Sequence, residues 1–141
     1  MSHLVKQKSD VKITDLETLS EACKRLGLTL NKNKKVARYY AGATTKCDAV
    51  IECPGSQYEI AVKHQSDGTY SIEADLFDPK LRNIVSTEKE KYYGEAQCDK
   101  LFQAYRVEEV VNQAVNDGYT VESAVYDPSL NEYVVEINAG Y

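Results

Sequence analysis

The stretch Tyr58–Phe77, YEIAVKHQSDGTYSIEADLF, constrains this chain more than any other, because it reads as one β-hairpin whose register can be worked out. Tyr58, Ile60 and Val62 alternate with Glu59, Ala61 and Lys63; beyond the turn, Tyr70, Ile72, Ala74 and Leu76 alternate with Ser71, Glu73 and Asp75. A period of two puts each set on one face of a sheet. A two-residue Asp67-Gly68 turn would set Val62 opposite Glu73 and mix apolar with charged positions. A three-residue loop, Ser66-Asp67-Gly68 with Gly68 left-handed, sets Val62 opposite Ile72, Ile60 opposite Ala74 and Tyr58 opposite Leu76. The pattern therefore predicts the three-residue loop. The reverse face then carries Glu59, Lys63, Glu73 and Asp75, which read as a solvated face because unpaired charges are rarely buried.

The rest of the chain supplies elements to either side. Leu4–Lys12 reads as a first strand. Thr14 and Glu17 have capping-box spacing, and Leu16, Leu19, Cys23 and Leu26 form a helical stripe ended by Gly27, which predicts a helix over Asp15–Leu26. Leu28–Lys46 is irregular. Asp48–Cys53 reads as a strand stopped by Pro54-Gly55, and Asp78-Pro79 closes the hairpin ahead of a Lys80–Ser86 connection. Thr87 and Glu90 offer a second capping box. Leu101, Phe102, Tyr105, Val110, Ala114 and Val115 follow at near-helical spacing until Asp117-Gly118, with Gly94 interrupting before them. Thr120–Tyr126 and Glu132–Asn138 read as a last strand pair, with Val121 opposite Ile137, Val125 opposite Tyr133 and Glu122 opposite Glu136. The order β-α-β-β-β-α-β-β predicts a single α+β domain over residues 1–141, with two helices on one face of a mainly antiparallel sheet of about six strands.

Composition narrows the function classes. The 141 residues carry a net charge of −5, which argues against duplex nucleic acid, since that partner needs a broad basic surface. Cys23, Cys47, Cys53 and Cys98 show no CxxC spacing, and with only two histidines a zinc site is not expected. Reduced thiols, no membrane-length apolar run and no signal-like h-region point to a protein of the cytoplasm or of an organelle interior, with no membrane partner. No Gly-rich phosphate loop or HExxH is present, and no cysteine or serine has a recognisable nucleophile context near His64, which is placed on the apolar face opposite Tyr70 at the hairpin tip. No cofactor, no metal and no catalysis are expected.

Taken in order, several passages resemble a known but uncharacterised family, the hypothetical chloroplast open reading frame thirty-five family of cyanobacteria, algal plastids and some phages. The resemblance rests on Met1-Ser2-His3, on Asp15-Leu16 with Leu19, Ala22 and Leu26-Gly27, and on Tyr40-Ala41-Gly42 leading to Asp48-Ala49-Val50-Ile51-Glu52. It continues in Tyr58-Glu59-Ile60, Tyr70, Ala74-Asp75-Leu76, Tyr105 and Asn116-Asp117-Gly118-Tyr119-Thr120-Val121. It covers most of the chain. Lys80–Cys98 departs from it, and the Lys32–Lys35 cluster is particular to this sequence. The family has no established activity, so the resemblance implies no catalytic or binding residues.

The stretch with the most chemistry is Lys32–Lys46, KNKKVARYYAGATTK. It holds five of the chain's 17 basic residues and none of its 22 acidic ones. Such polarisation focuses anions even on an acidic protein. Tyr39 and Tyr40 add aromatic faces and Gly42 permits close backbone approach. The plain alternative is a solvated basic loop. The expected site is Lys34, Lys35 and Arg38 on phosphates, Tyr39 or Tyr40 stacking a base, and Lys46 beside them. The expected function is a non-catalytic, self-associating binding protein that holds or sequesters an anionic nucleotide-like small molecule. By analogy alone, a phage anti-defence sponge in the host cytoplasm would work this way. The competing expectation is an accessory subunit that docks on a larger complex through the long helix around Tyr92–Tyr105.

Overall fold

The computed structural model describes residues 4–87 and 98–139. Its centre is the expected hairpin: β6 (Ile60–His64) pairs with β7 (Tyr70–Ala74), Val62 facing Ile72 and His64 facing Tyr70. Gly68 has φ +88°, and the Gln65 amide donates to the Thr69 carbonyl at 2.8 Å, so the loop is the left-handed glycine connection the side-chain pattern required.

Around this hairpin a five-stranded antiparallel sheet forms in the order β1-β7-β6-β5-β2, with β1 at Val5–Lys6, β2 at Thr29–Asn31 and β5 at Ala49–Glu52. Ala49, Ile51, Ile60, Val62, Ile72 and Ala74 present one apolar face, all essentially inaccessible to water. Three helices cover that face: α1 (Leu16–Arg25), α2 (Pro79–Val85) and α3 (Asp99–Asn116). The α+β class holds. The expected six-stranded sheet is instead this five-stranded sheet plus two separate ribbons, β3–β4 (Val36–Arg38 and Thr44–Lys46) and β8–β9 (Thr120–Asp127 and Glu132–Asn138).

Several local expectations change for identifiable reasons. Asp15, not Thr14, caps α1: its carboxylate accepts from the Thr18 amide at 3.0 Å and the Thr18 hydroxyl at 2.7 Å. The Thr14 and Asp15 amides donate to the buried Tyr105 hydroxyl instead, at 3.0 and 3.2 Å, which ties α1 to α3. Gly27 closes α1 left-handed at φ +74°, as expected. Asp78-Pro79 ends the hairpin and also starts α2, because Asp is a good N-cap and Pro fits the first helical turn; the expected Lys80–Ser86 connection is therefore helical. Thr87 donates from its amide, at 2.8 Å, and from its hydroxyl to the Asp99 carboxylate. Its expected partner Glu90, together with Tyr92, Tyr93, Gly94, Tyr141 and Ser2-His3, lies outside the described residues.

The β8–β9 ribbon keeps Val121 opposite Ile137, but a bulge at Glu122 shifts the remainder by one. Val125 therefore faces Val134 and Tyr126 faces Tyr133, while Ser123 takes the place opposite Glu136. The bulge separates the two carboxylates that simple alternation sets opposite each other. Glu122 instead accepts from Asn138 Nδ2 at 3.0 Å. One side of the ribbon packs on the helices. Arg25 at the end of α1 pairs with Glu108 on α3, donates to the Ala124 carbonyl at 2.7 Å and lies over the Tyr133 ring at 5.7 Å.

The first strand is shorter than Leu4–Lys12. Val5 and Lys6 pair with Ala74 and Glu73, and Ile13 bridges to Tyr70. Seven positions separate Lys6 from Ile13 but only three separate Glu73 from Tyr70, so four extra residues bow out of the β7 edge.

Candidate functional site

The second face of the sheet is not open to water, and this places the basic stretch. Val50 and Ala61 on that face are fully buried beneath Ala37 of β3, with Cys47 against them. The β3–β4 ribbon thus lies across the sheet on the side away from the helices. Its strands are short, and its five-residue connection runs through Tyr39–Ala43. Two consecutive residues there are left-handed, Ala41 at φ 56° and Gly42 at φ 78°, and the Tyr39 amide donates to the Ala43 carbonyl at 2.9 Å. Gly42 pays nothing for that conformation, whereas Ala41 is held in a sparsely populated one at a cost of about 1 kcal/mol.

Glu59 anchors the ribbon. It is only 2% exposed, against the expectation of a solvated face. Its carboxylate accepts from the Lys34 ammonium at 2.5 Å, the Arg38 amide at 2.9 Å and Arg38 Nε at 3.4 Å; its own amide donates to the Arg38 carbonyl at 2.8 Å. Burial alone would raise the Glu59 carboxyl, but the bonds from Lys34 and Arg38 more than offset it and hold the group below the usual carboxylate range. Lys34 also approaches Glu52 at 3.6 Å. Lys63 joins the ribbon to the sheet by donating to the Thr45 hydroxyl and the Glu73 carboxylate, both at 3.0 Å. Continuing the β6–β7 register sets Asp75 opposite Glu59. Asp75 is equally buried; its Oδ1 accepts from the Phe77 amide at 3.1 Å.

The predicted site residues therefore divide. Lys34 is committed to Glu59. Lys35 donates to the Lys32 and Asp48 carbonyls at 2.9 and 2.6 Å, and Lys32 pairs with Glu17. These lysines fasten the ribbon. Arg38 and Lys46 point the other way. Strand alternation puts Val36, Arg38, Thr44 and Lys46 on the outer face, and all four are exposed. Lys46 and the terminal guanidinium nitrogens of Arg38 have no partner among the described residues. Arg38 faces Thr44 and Lys46 faces Val36, so the two cations are diagonal neighbours, about 7–8 Å apart at such positions. Tyr40, at the tip, stacks edge-on against Phe77 at 5.7 Å, and both rings are substantially exposed; Tyr39 is half-buried. The surface has two cations, a hydroxyl and an aromatic pair, with Arg38 oriented from behind by a buried carboxylate. It can bind an oxyanion and offer a ring to a flat group.

Sequence reasoning missed Glu59. The available signal was charge bookkeeping: a stretch with five cations and no acid requires a carboxylate from elsewhere if it is to fold onto the sheet. His64 is exposed and lies edge-on to Tyr70 at 5.1 Å. Burial pushes the Cys23 thiol up to about 12 and raises Cys98 as well, so neither is a thiolate at neutral pH. No helix of the described residues is long and apolar enough to cross a membrane.

A family model described as a protein of unknown function, DUF1257, matches residues 22–127. No curated protein and no solved structure matches the chain.

Proposed function

We propose, from the premise that the chain belongs to the DUF1257 family of proteins of unknown function, that it is a non-catalytic binding protein for an anionic nucleotide-like small molecule. The observation that carries this reading is the outer face of β3–β4, where Arg38, held at Nε by buried Glu59, keeps its terminal guanidinium nitrogens without a partner among the described residues beside the equally unpartnered Lys46. Arg38 and Lys46 take the phosphate, and Tyr40 with Phe77 offers the base an aromatic edge. Tyr39 supports the turn. Lys34 and Lys35 act indirectly, by fixing the ribbon. Sequestration of a nucleotide signal, as by a phage sponge, is the biological role that fits such a binder. The same ordered residues that resemble the chloroplast open reading frame thirty-five family support the finer family assignment.

A second reading rests on a different surface. The outward side of β8–β9 exposes Val125 and Val134 as a cross-strand pair, and the ribbon's turn exposes Leu130. An apolar pair on a solvent-facing ribbon favours docking, either on a larger complex or between copies of this chain. Native mass spectrometry with added adenosine monophosphate separates the readings. The expected result is more than one copy carrying nucleotide adducts. A species that retains another protein and takes up no nucleotide at millimolar concentration contradicts the binding reading and favours docking.

A further inference from the structure

The four residues bowed out of the β7 edge leave a crevice between the bow and the hairpin tip. It has a volume of about 380 Å³, within the range of small-molecule pockets. Its walls come from two separate segments. Lys6, Lys8 and Lys12 stand on one side, and Gln65, Asp67 and Thr69 on the other. Lys6 reaches across and donates to the Gln65 side chain at 3.4 Å, so at least one cation is directed over the opening. The only acid among the lining residues is Asp67. That carboxylate is already occupied, accepting from the Thr69 amide at 3.0 Å and the Thr69 hydroxyl at 2.7 Å, and Lys12 acts on it from across the crevice. Three lysines therefore line a concave surface whose one lining carboxylate is engaged by Thr69, in a chain whose net charge is −5, and Lys6 and Lys12 act across it, on Gln65 and on Asp67. The floor adds hydroxyls, with Ser71 buried beneath the opening and accepting from Gln65 Nε2 at 3.1 Å.

From this geometry we infer a second anion site, specific for a small oxyanion of the phosphate type, formed by Lys6 and Lys12 across the Gln65–Thr69 loop. The physical reason is focusing: convergent cations in a partly enclosed crevice raise the local anion concentration more than the same charges on a flat surface. The bow exists because Ser9 turns the chain there, its hydroxyl accepting from the Val11 amide at 3.0 Å, while Ile13 returns to the core. The site is thus built by the insertion itself. It shares no residue with the β3–β4 face, so the two stand or fall separately.

The test is a titration of the ¹⁵N-labelled chain with inorganic phosphate, against sodium chloride at matched ionic strength. Phosphate is expected to shift the Asp67, Gly68 and Thr69 amides saturably, and the Lys6→Ala/Lys12→Ala variant to bind at least fivefold more weakly. Both lysines are exposed, so the variant keeps the fold, which an unchanged spectrum elsewhere verifies. Arg38→Ala/Lys46→Ala is expected to leave these shifts unchanged. Equal shifts with chloride, unchanged affinity in the lysine variant, or saturable shifts confined to Arg38–Lys46 each overturn the second site; the last of these would leave the proposed β3–β4 face standing.

Discussion

Replacing Glu59 by Gln is expected to destabilise the chain by about 2–3 kcal/mol in chemical denaturation. The carboxylate is buried and receives three donors, two from cationic side chains. Breaking a fully buried pair costs about 3–5 kcal/mol, but here Lys34 and Arg38 regain water when released, which lowers the figure. The pH dependence has a definite sign. The Glu59 carboxyl titrates below its ordinary value in the folded chain, so its contribution is fully present above the unfolded pKa, roughly 4.3, and is lost as pH falls through the folded value. The wild-type chain is therefore expected to lose stability on acidification below about pH 4.3, and Glu59→Gln to show a flatter acid limb. A variant as stable as wild type at neutral pH, with the same acid limb, would show that Glu59 does not anchor the ribbon.

Arg25→Ala carries the other large effect, about 2–4 kcal/mol. Arg25, at the end of α1, joins that helix to α3 and to the β8–β9 ribbon at once, through Glu108, the Ala124 carbonyl and the Tyr133 ring. Its loss strands Glu108, itself 9% exposed, without its partner, and an unpaired charge so placed costs several kcal/mol. Hydrogen exchange gives a more specific readout: the β8–β9 amides are expected to lose protection well before those of β5, β6 and β7. Uniform loss across both sheets would mean that the ribbon is held by something else.

What could be read in advance was whatever depends on neighbours in sequence. The Gly68 loop and the Val62–Ile72 register follow from side-chain alternation across three residues, and the left-handed stops at Gly27 and Gly118 follow from the helical stripes that precede them. What could not be read depends on distant partners. Glu59 looks like any polar strand position until β3 is laid over it, and the Lys32–Lys46 stretch looks irregular because its strands have three residues each. The same holds for Arg25 and Glu108, which sit on separate helices. The Glu122 bulge was not read from the sequence: strict alternation set Glu122 opposite Glu136, and the register shift that separates them shows only in the fold. As for the candidate site, its location was visible in the charge pattern. The division of labour within it was not, because only the fold decides that the Lys34 and Lys35 ammonium groups are taken up by Glu59 and by backbone carbonyls while Lys46 and the terminal guanidinium nitrogens of Arg38 are left without a partner among the described residues.

The central claim is that the outer face of β3–β4 binds the anion, and calorimetric titration with adenosine monophosphate tests it most directly. Two charge-assisted contacts of this kind contribute about 1.5–3 kcal/mol each. Arg38→Ala/Lys46→Ala is accordingly expected to bind at least tenfold more weakly than the native chain while remaining folded, with a lowered melting temperature because Glu59 loses its Arg38 side-chain donor. Equal affinity in the native chain and the variant, or no heat from either, would contradict the claim.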